Sequence, residues 1–184
     1  MSGKLTEHTI TSESIYKGRV IDLRVDEVML PNGKTSSREI VTHPGAVAII
    51  PVTKEGKLIL IRQFRKPLEK TIVEIPAGKL EKGEEPLACA KRELEEETGY
   101  VAQSLDFVTS FYTSPGFADE LIYLFYTNDL QLGTQSPDDD EFVEIMEVTV
   151  DEAKELVRTQ QVHDAKTAFA IQYLQLLENE GDKR

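Results

Sequence analysis

Apolar and polar residues alternate in short runs along most of this chain, and helical spacing replaces that alternation in three places. Residues 16–30 are rich in β-branched and apolar types. Pro31-Asn32-Gly33-Lys34 then marks a hairpin turn into a second strand at 35–42. The alternation of the first strand changes face near Glu27 and Val28, which predicts a bulge or bend there. Residues 45–52 form a nearly unbroken apolar run, the mark of a buried strand, and Glu55-Gly56 turns the chain into another at 57–64. A short strand at 72–75 leads into Pro76-Ala77-Gly78, read as the start of a loop. Pro86 suits the first turn of a helix running to Thr98, with Gly99 as its C-terminal stop. Strands follow at 105–112, 120–127 and 142–149, then a short helix from Asp151 and a last one from Asp164 or Ala165 to Leu177. Strands and helices are mixed without βαβα alternation, so the fold class is α+β, with an N-terminal antiparallel β lobe over 1–43 and a second domain over 44–184.

Composition narrows the chemistry. Cys89 is the single cysteine, which excludes an intramolecular disulfide or a thiolate metal cluster, and the histidines (His8, His43, His163) are scattered. The 33 acidic residues outnumber 21 basic ones, for a formal net charge of −12. That balance opposes binding to nucleic acid, whose phosphates call for Lys and Arg surfaces. No apolar run approaches a membrane span, and the first residues show no apolar leader, so a cytoplasmic enzyme with no membrane partner is expected.

One stretch carries most of the information. At 100° per residue, Glu93, Glu96 and Glu97 fall within about a 100° arc of the predicted helix, while Leu87, Ala90 and Leu94 share the adjoining face. Lys91 and Glu95 point elsewhere, toward solvent. Carboxylates spaced i, i+3 and i+4 repel, at about a few tenths of a kcal/mol per exposed pair. Arg92 offsets part of this through Glu96 at i+4, but one arginine does not neutralise three carboxylates. Such a face suits a hard cation, because Mg²⁺ takes carboxylate oxygens together with substrate phosphates.

The full spacing is Gly78, five residues, Glu84, seven residues, Arg92-Glu93-Leu94, one residue, Glu96-Glu97, one residue and Gly99. It fills the fixed positions of the Nudix hydrolase signature and so resembles that family; Tyr100, an aromatic where an aliphatic is usual, is the one departure. The resemblance implies a Nudix-type mixed sheet sandwiched by helices in the second domain. It also implies metal-dependent hydrolysis of a nucleoside diphosphate linked to a further group. It carries Glu93, Glu97 and Glu96 over as metal ligands beside the carbonyl of Ala77, and makes Arg92 and Glu84 a supporting ion pair. Mg²⁺ is the implied metal, with Mn²⁺ as the alternative. Cys89 reads as a small buried side chain.

Outside that stretch, Thr113-Ser114-Pro115-Gly116-Phe117, Gln63-Phe64-Arg65, Glu74-Ile75-Pro76-Ala77-Gly78 and Asp140-Glu141-Phe142-Val143-Glu144 are similar to the ADP-ribose pyrophosphatase subfamily. By that resemblance Arg65 holds the diphosphate or the adenosine half, since guanidinium forks suit phosphate and also stack on rings. Ser114, Pro115, Gly116 and Glu120 line the terminal-ribose end, and Arg19 and Arg38 contact substrate in a homodimer that exchanges the N-terminal lobe. Glu141, in the acidic loop 133–141, is the expected catalytic base and an additional metal ligand, with Glu96, Asp139 and Glu144 as rivals. The implied reaction is cleavage of ADP-ribose to AMP and ribose 5-phosphate. Another nucleotide sugar, GDP-mannose or a dinucleotide such as NADH would use the same chemistry. A regulatory module that binds ADP-ribose without cutting it predicts eroded motif glutamates, and here all are present.

Overall fold

The computed structural model of the chain describes residues 4–136 and 142–181. The chain divides into two compact units, Met1–Gly45 with Phe111–Ile122, and Ala46–Ser110 with Tyr123–Arg184.

In the first unit three antiparallel strands lie in order, β1 (His8–Lys17), β2 (Asp22–Met29) and β3 (Thr35–Thr42). The pattern predicts one strand over 16–30; the structure instead ends β1 at Lys17 and turns before β2. That turn is closed by Gly18 N donating to Ile21 O at 3.0 Å. A Cβ on Gly18 would stand 2.8 Å from the backbone oxygen of Ile21, so the turn favours glycine for space. β1 escapes detection because its residues are mostly polar and all exposed, so no buried face imprints a period on it. The bulge also moves: β2 runs in unbroken register with β3, while β1 slips between Thr9 and Thr11, opposite Val28 and Glu27. An edge strand absorbs an extra residue at lower cost than a central strand bonded on both sides. Segment 111–122 joins this sheet through Val41, whose N donates to Phe117 O at 2.8 Å and whose O accepts from Asp119 N at 3.2 Å.

The second unit contains β4 (Ala46–Pro51), β5 (Leu58–Arg65), a 3₁₀ turn (Lys66–Leu68), β6 (Lys70–Glu74), β7 (Ala77–Lys79), α1 (Pro86–Thr98) and β8 (Tyr100–Ala102). After β8 come β9 (Asp106–Tyr112) and β10 (Leu121–Thr127), each with two residues assigned to the first unit. β11 (Leu130–Leu132), β12 (Val143–Val148), α2 (Val150–Arg158) and α3 (Ala165–Gly181) complete it. The strands form a sheet β7-β4-β10-β9, a second sheet β12-β5-β6 and a ribbon β11-β8. Among the described residues no helix is long and apolar enough to cross a membrane.

Residues 77–79, read above as a loop, pair as a strand with β4 (Ala48 opposite Ala77, Val47 opposite Gly78, Ala46 opposite Lys79). Three residues of Ala-Gly-Lys carry no strand signal of their own; the open edge of the fully buried β4 imposes the pairing. Val47 and Ile49 of β4 join Cys89, Ala90 and Leu94 of α1 in one core cluster. Fully burying a leucine such as Leu94 contributes about 1.5–3 kcal/mol, and that burial fixes α1 against its neighbours. Leu87 is the exception to the predicted apolar face. It is 45% exposed at the second position of α1, whereas Cys89, two residues on, is fully buried in the core cluster.

Candidate active site on the acidic helix

Both ends of α1 form for local reasons. Pro86 opens it at a position whose N–H would go unpaired, and Gly99 closes it at φ 70°, in the left-handed region glycine enters without strain. The helix therefore sets the rotation of its acidic face, and Glu93 and Glu97 come out buried, at 9% and 1% exposure.

Two contacts place that face against β7. Glu97 Oε2 accepts a hydrogen bond from Ala77 N at 3.0 Å. The Glu93 carboxylate lies against Gly78, so closely that a Cβ on Gly78 would stand 1.8 Å from Glu93 Cδ. Gly78 has no positive φ, so glycine is required here for space and not for backbone conformation. Glu93 and Glu97 thus meet the two consecutive residues Ala77 and Gly78.

Arg92 gathers the remaining carboxylates. Its Nε and Nη2 reach Glu84 at 3.0 Å each, and its Nη1 reaches Glu93 Oε1 at 2.8 Å and Glu96 Oε2 at 2.9 Å. One fork therefore ties the loop before α1 to two turns of the helix. Its hydrogen bonds, foremost that from Arg92, hold Glu84 down at about 2 from an ordinary 4.5, against the burial that pushes it up. The same partner raises Arg92 still further above its usual value. A lowered carboxyl pKa adds stability above the unfolded value and loses it as pH falls toward the folded value. Wild-type urea midpoints should therefore fall between pH 4.5 and about 2, and Glu84→Gln should flatten that slope; equal slopes would exclude this origin. Cys89, fully buried, donates to Lys79 O at 3.4 Å, and burial pushes its thiol up to about 12.

The far end of the helix is capped from the chain after β11. Gly133 N donates to Gly99 O at 2.7 Å, Gln135 Nε2 to Glu97 O at 2.8 Å and Ser136 N to Glu96 O at 3.1 Å. These bonds satisfy carbonyls that a helix C-terminus leaves unpaired. Nothing in the local sequence marks Gln135 for this, since the partner lies 38 residues away. Tyr100, the departure from the signature, donates its hydroxyl to Glu147 Oε1 at 2.8 Å, a cross-link that an aliphatic residue could not make. Glu141 and Asp139 lie outside the described residues. The rival Glu144 is on β12, paired with Arg62 at 3.0 Å.

Arg65 ends β5 and donates from Nε to Glu74 Oε2 at 2.6 Å. The other predicted substrate residues belong to the first unit. There Glu120 accepts from Thr113 Oγ1 at 2.5 Å and lies 3.7 Å from His43 Nε2. Arg38 is paired with Glu7 at 2.5 Å. Arg19 is exposed in the turn between β1 and β2. Pro115, Gly116 and Arg38 line a cleft of about 520 Å³ in this unit, together with Arg24 and Asp26; Ser114 lies just before it and accepts from Ala118 N at 2.9 Å.

Among the described residues no three His, Cys, Asp or Glu side chains are arranged to hold a metal ion. Arg92 and the Ala77 N–H take oxygens of the carboxylates that would do so. The donors themselves fit a hard divalent cation: all are oxygens, two of the carboxylates are buried, and the absence of a Cβ on Gly78 makes room for the Glu93 carboxylate.

The chain belongs to the Nudix family of hydrolases. The model of the NUDIX domain matches residues 42–169, and that of the nucleoside diphosphate sugar hydrolase N-terminal domain matches 7–41. It is 62% identical over 176 residues, 95% of each chain, to a protein of Bacillus subtilis (strain 168) named ADP-ribose pyrophosphatase. It is 55% identical over 179 residues to one of Bacillus methanolicus named methanol dehydrogenase activator, covering 96% of this chain and 97% of that one. A crystal structure of an ADP compounds hydrolase shares the fold, with a TM-score of 0.83 over 96% of each chain at 21% identity. A divalent metal is the general requirement of the family.

Proposed function

We propose that the chain hydrolyses ADP-ribose to AMP and ribose 5-phosphate with Mg²⁺, Mn²⁺ being the alternative ion. The observation that carries the reaction class is the pair of buried carboxylates, Glu93 and Glu97, closed on Ala77 and Gly78 inside a Nudix signature that departs only at Tyr100. The choice of ADP-ribose rests on the relative of that name at 62% identity.

In this reading Glu93, Glu97, Glu96 and the Ala77 carbonyl hold the ion, with Glu141 an added ligand. Bound there, the ion would neutralise diphosphate charge and favour attack at phosphorus. Glu141, or Glu96 as its rival, takes the proton of the attacking water. The water oxygen forms the new bond to one phosphorus, the bridging P–O bond breaks, and its electron pair leaves with the other phosphate. Arg65 holds the diphosphate or adenosine half. Arg19, Arg38, Ser114, Pro115, Gly116 and Glu120 are the proposed substrate contacts of the first unit. We further infer a cytoplasmic homodimer that exchanges its N-terminal lobe, residues 1–43. Exposed Ile10, Ile15, Tyr16 and Met29 on β1 and β2 support that assembly.

A panel of ADP-ribose, GDP-mannose and NADH assayed with Mg²⁺ tests the substrate. ADP-ribose should turn over fastest. Equal rates on all three would reject the selectivity, and tight binding of ADP-ribose without turnover would favour the regulatory module.

A further inference from the structure

Away from the acidic helix, a second buried carboxylate sits between two cations. Glu74, at the end of β6, is 3% exposed. Arg65 Nε donates to its Oε2 at 2.6 Å, and Lys166 Nζ donates to its Oε1. Lys166 also reaches Asp164 Oδ1 at 3.0 Å, and that same oxygen caps α3 by accepting from Thr167 N at 3.1 Å. β6 is the edge of its sheet, and its N–H groups on either side of Glu74 are taken from outside that sheet. Val73 N donates to Gln161 O at 2.8 Å and Ile75 N to Thr167 Oγ1 at 3.0 Å. The connection between α2 and α3, through Gln161, and the start of α3, through Thr167, therefore bond the backbone on either side of Glu74.

The cluster sets two cations against two carboxylates: Lys166, whose side chain is 11% exposed, is shared between Glu74 and Asp164. Arg65 is 37% exposed and is the second cation, reaching Glu74 from the neighbouring strand. Holding Arg65 by Nε orients the planar guanidinium and leaves its other edge, Nη1 and Nη2, suited to two phosphate oxygens.

We propose that Glu74, clamped by Lys166, is the positioning residue for Arg65 and sets its guanidinium for the diphosphate. The proposal rests on the reading of Arg65 as a substrate contact given above. α3 thereby contributes to substrate binding without touching substrate.

The test is a double-substitution cycle on the full chain, with KM and kcat for ADP-ribose measured separately. Arg65→Ala and Glu74→Gln should each raise KM about tenfold or more, as expected for a hydrogen bond to a charged group, with kcat changed far less. Combined, they should be no worse than Arg65→Ala alone, because Glu74 acts through Arg65. A KM increase from Glu74→Gln that persists undiminished in the Arg65→Ala background would overturn the proposal. A wild-type KM in Glu74→Gln would do the same. A wild-type KM in Arg65→Ala would instead remove Arg65 from the substrate, and the positioning role with it, while leaving the hydrolysis itself standing. If Glu74→Gln does not fold, Arg65→Lys decides. It keeps the charge but lacks the Nε–H, so KM should rise as in Arg65→Ala, and a wild-type KM overturns the proposal.

Discussion

Replacing Gly78 by alanine is expected to cost about 1–3 kcal/mol of stability, the usual range for overpacking a closed site, and to lower kcat about 100-fold through misplacement of the acidic face. The new Cβ would stand 1.8 Å from Glu93 Cδ and 2.1 Å from both of its carboxylate oxygens. Something must then move. β7 is held in register with β4, and α1 is packed into the core through Ala90 and Leu94, so neither backbone yields easily. The Glu93 carboxylate is displaced instead. Thermal unfolding and steady-state kinetics on the same preparation check both parts. Wild-type kcat in a folded Gly78→Ala protein would show that Glu93 does not need its position.

The second large effect is expected from Glu97→Gln. The side chain is 1% exposed and accepts from Ala77 N at 3.0 Å. Glutamine keeps the size and can keep that hydrogen bond through its carbonyl oxygen, so the unfolding midpoint should stay near wild type. What is lost is the negative charge. If that charge acts in the transition state, kcat should fall about 100- to 1,000-fold, the range seen when one aligned electrostatic group is removed. A fall in stability with kcat retained would make Glu97 a structural acceptor for β7 and nothing more.

The contrast between these two residues shows what a sequence makes legible. The limits of α1 can be read in advance because Pro86 and Gly99 act locally, and the grouping of Glu93, Glu96 and Glu97 follows from helical period alone. The need for glycine at 78 is equally visible as a motif position, but its cause is not. That cause is a contact between β7 and α1, residues 15 positions apart, and it exists only once β4 has recruited residues 77–79 as a strand. Arg92 separates two sources of legibility: its i+4 contact with Glu96 follows from helical period, whereas its pairing with Glu84, which the structure bears out, is implied by the family resemblance and not by periodicity, because it depends on how the preceding loop folds back. Glu74 lies in a stretch the subsidiary motifs already mark, yet its partner Lys166 is 92 residues away and carries no signal of its own. β1 fails for the opposite reason, since an exposed polar strand needs no periodic apolar face.

The acidic face of α1 is proposed to serve hydrolysis of ADP-ribose and not merely its binding. Phosphorus NMR of wild-type protein with ADP-ribose and Mg²⁺ tests it most directly. The expected result is AMP and ribose 5-phosphate in equal amounts, arrest when the ion is chelated, and recovery when Mg²⁺ is restored. ADP-ribose that binds and stays intact, or cleavage that continues undiminished in chelator, would contradict it.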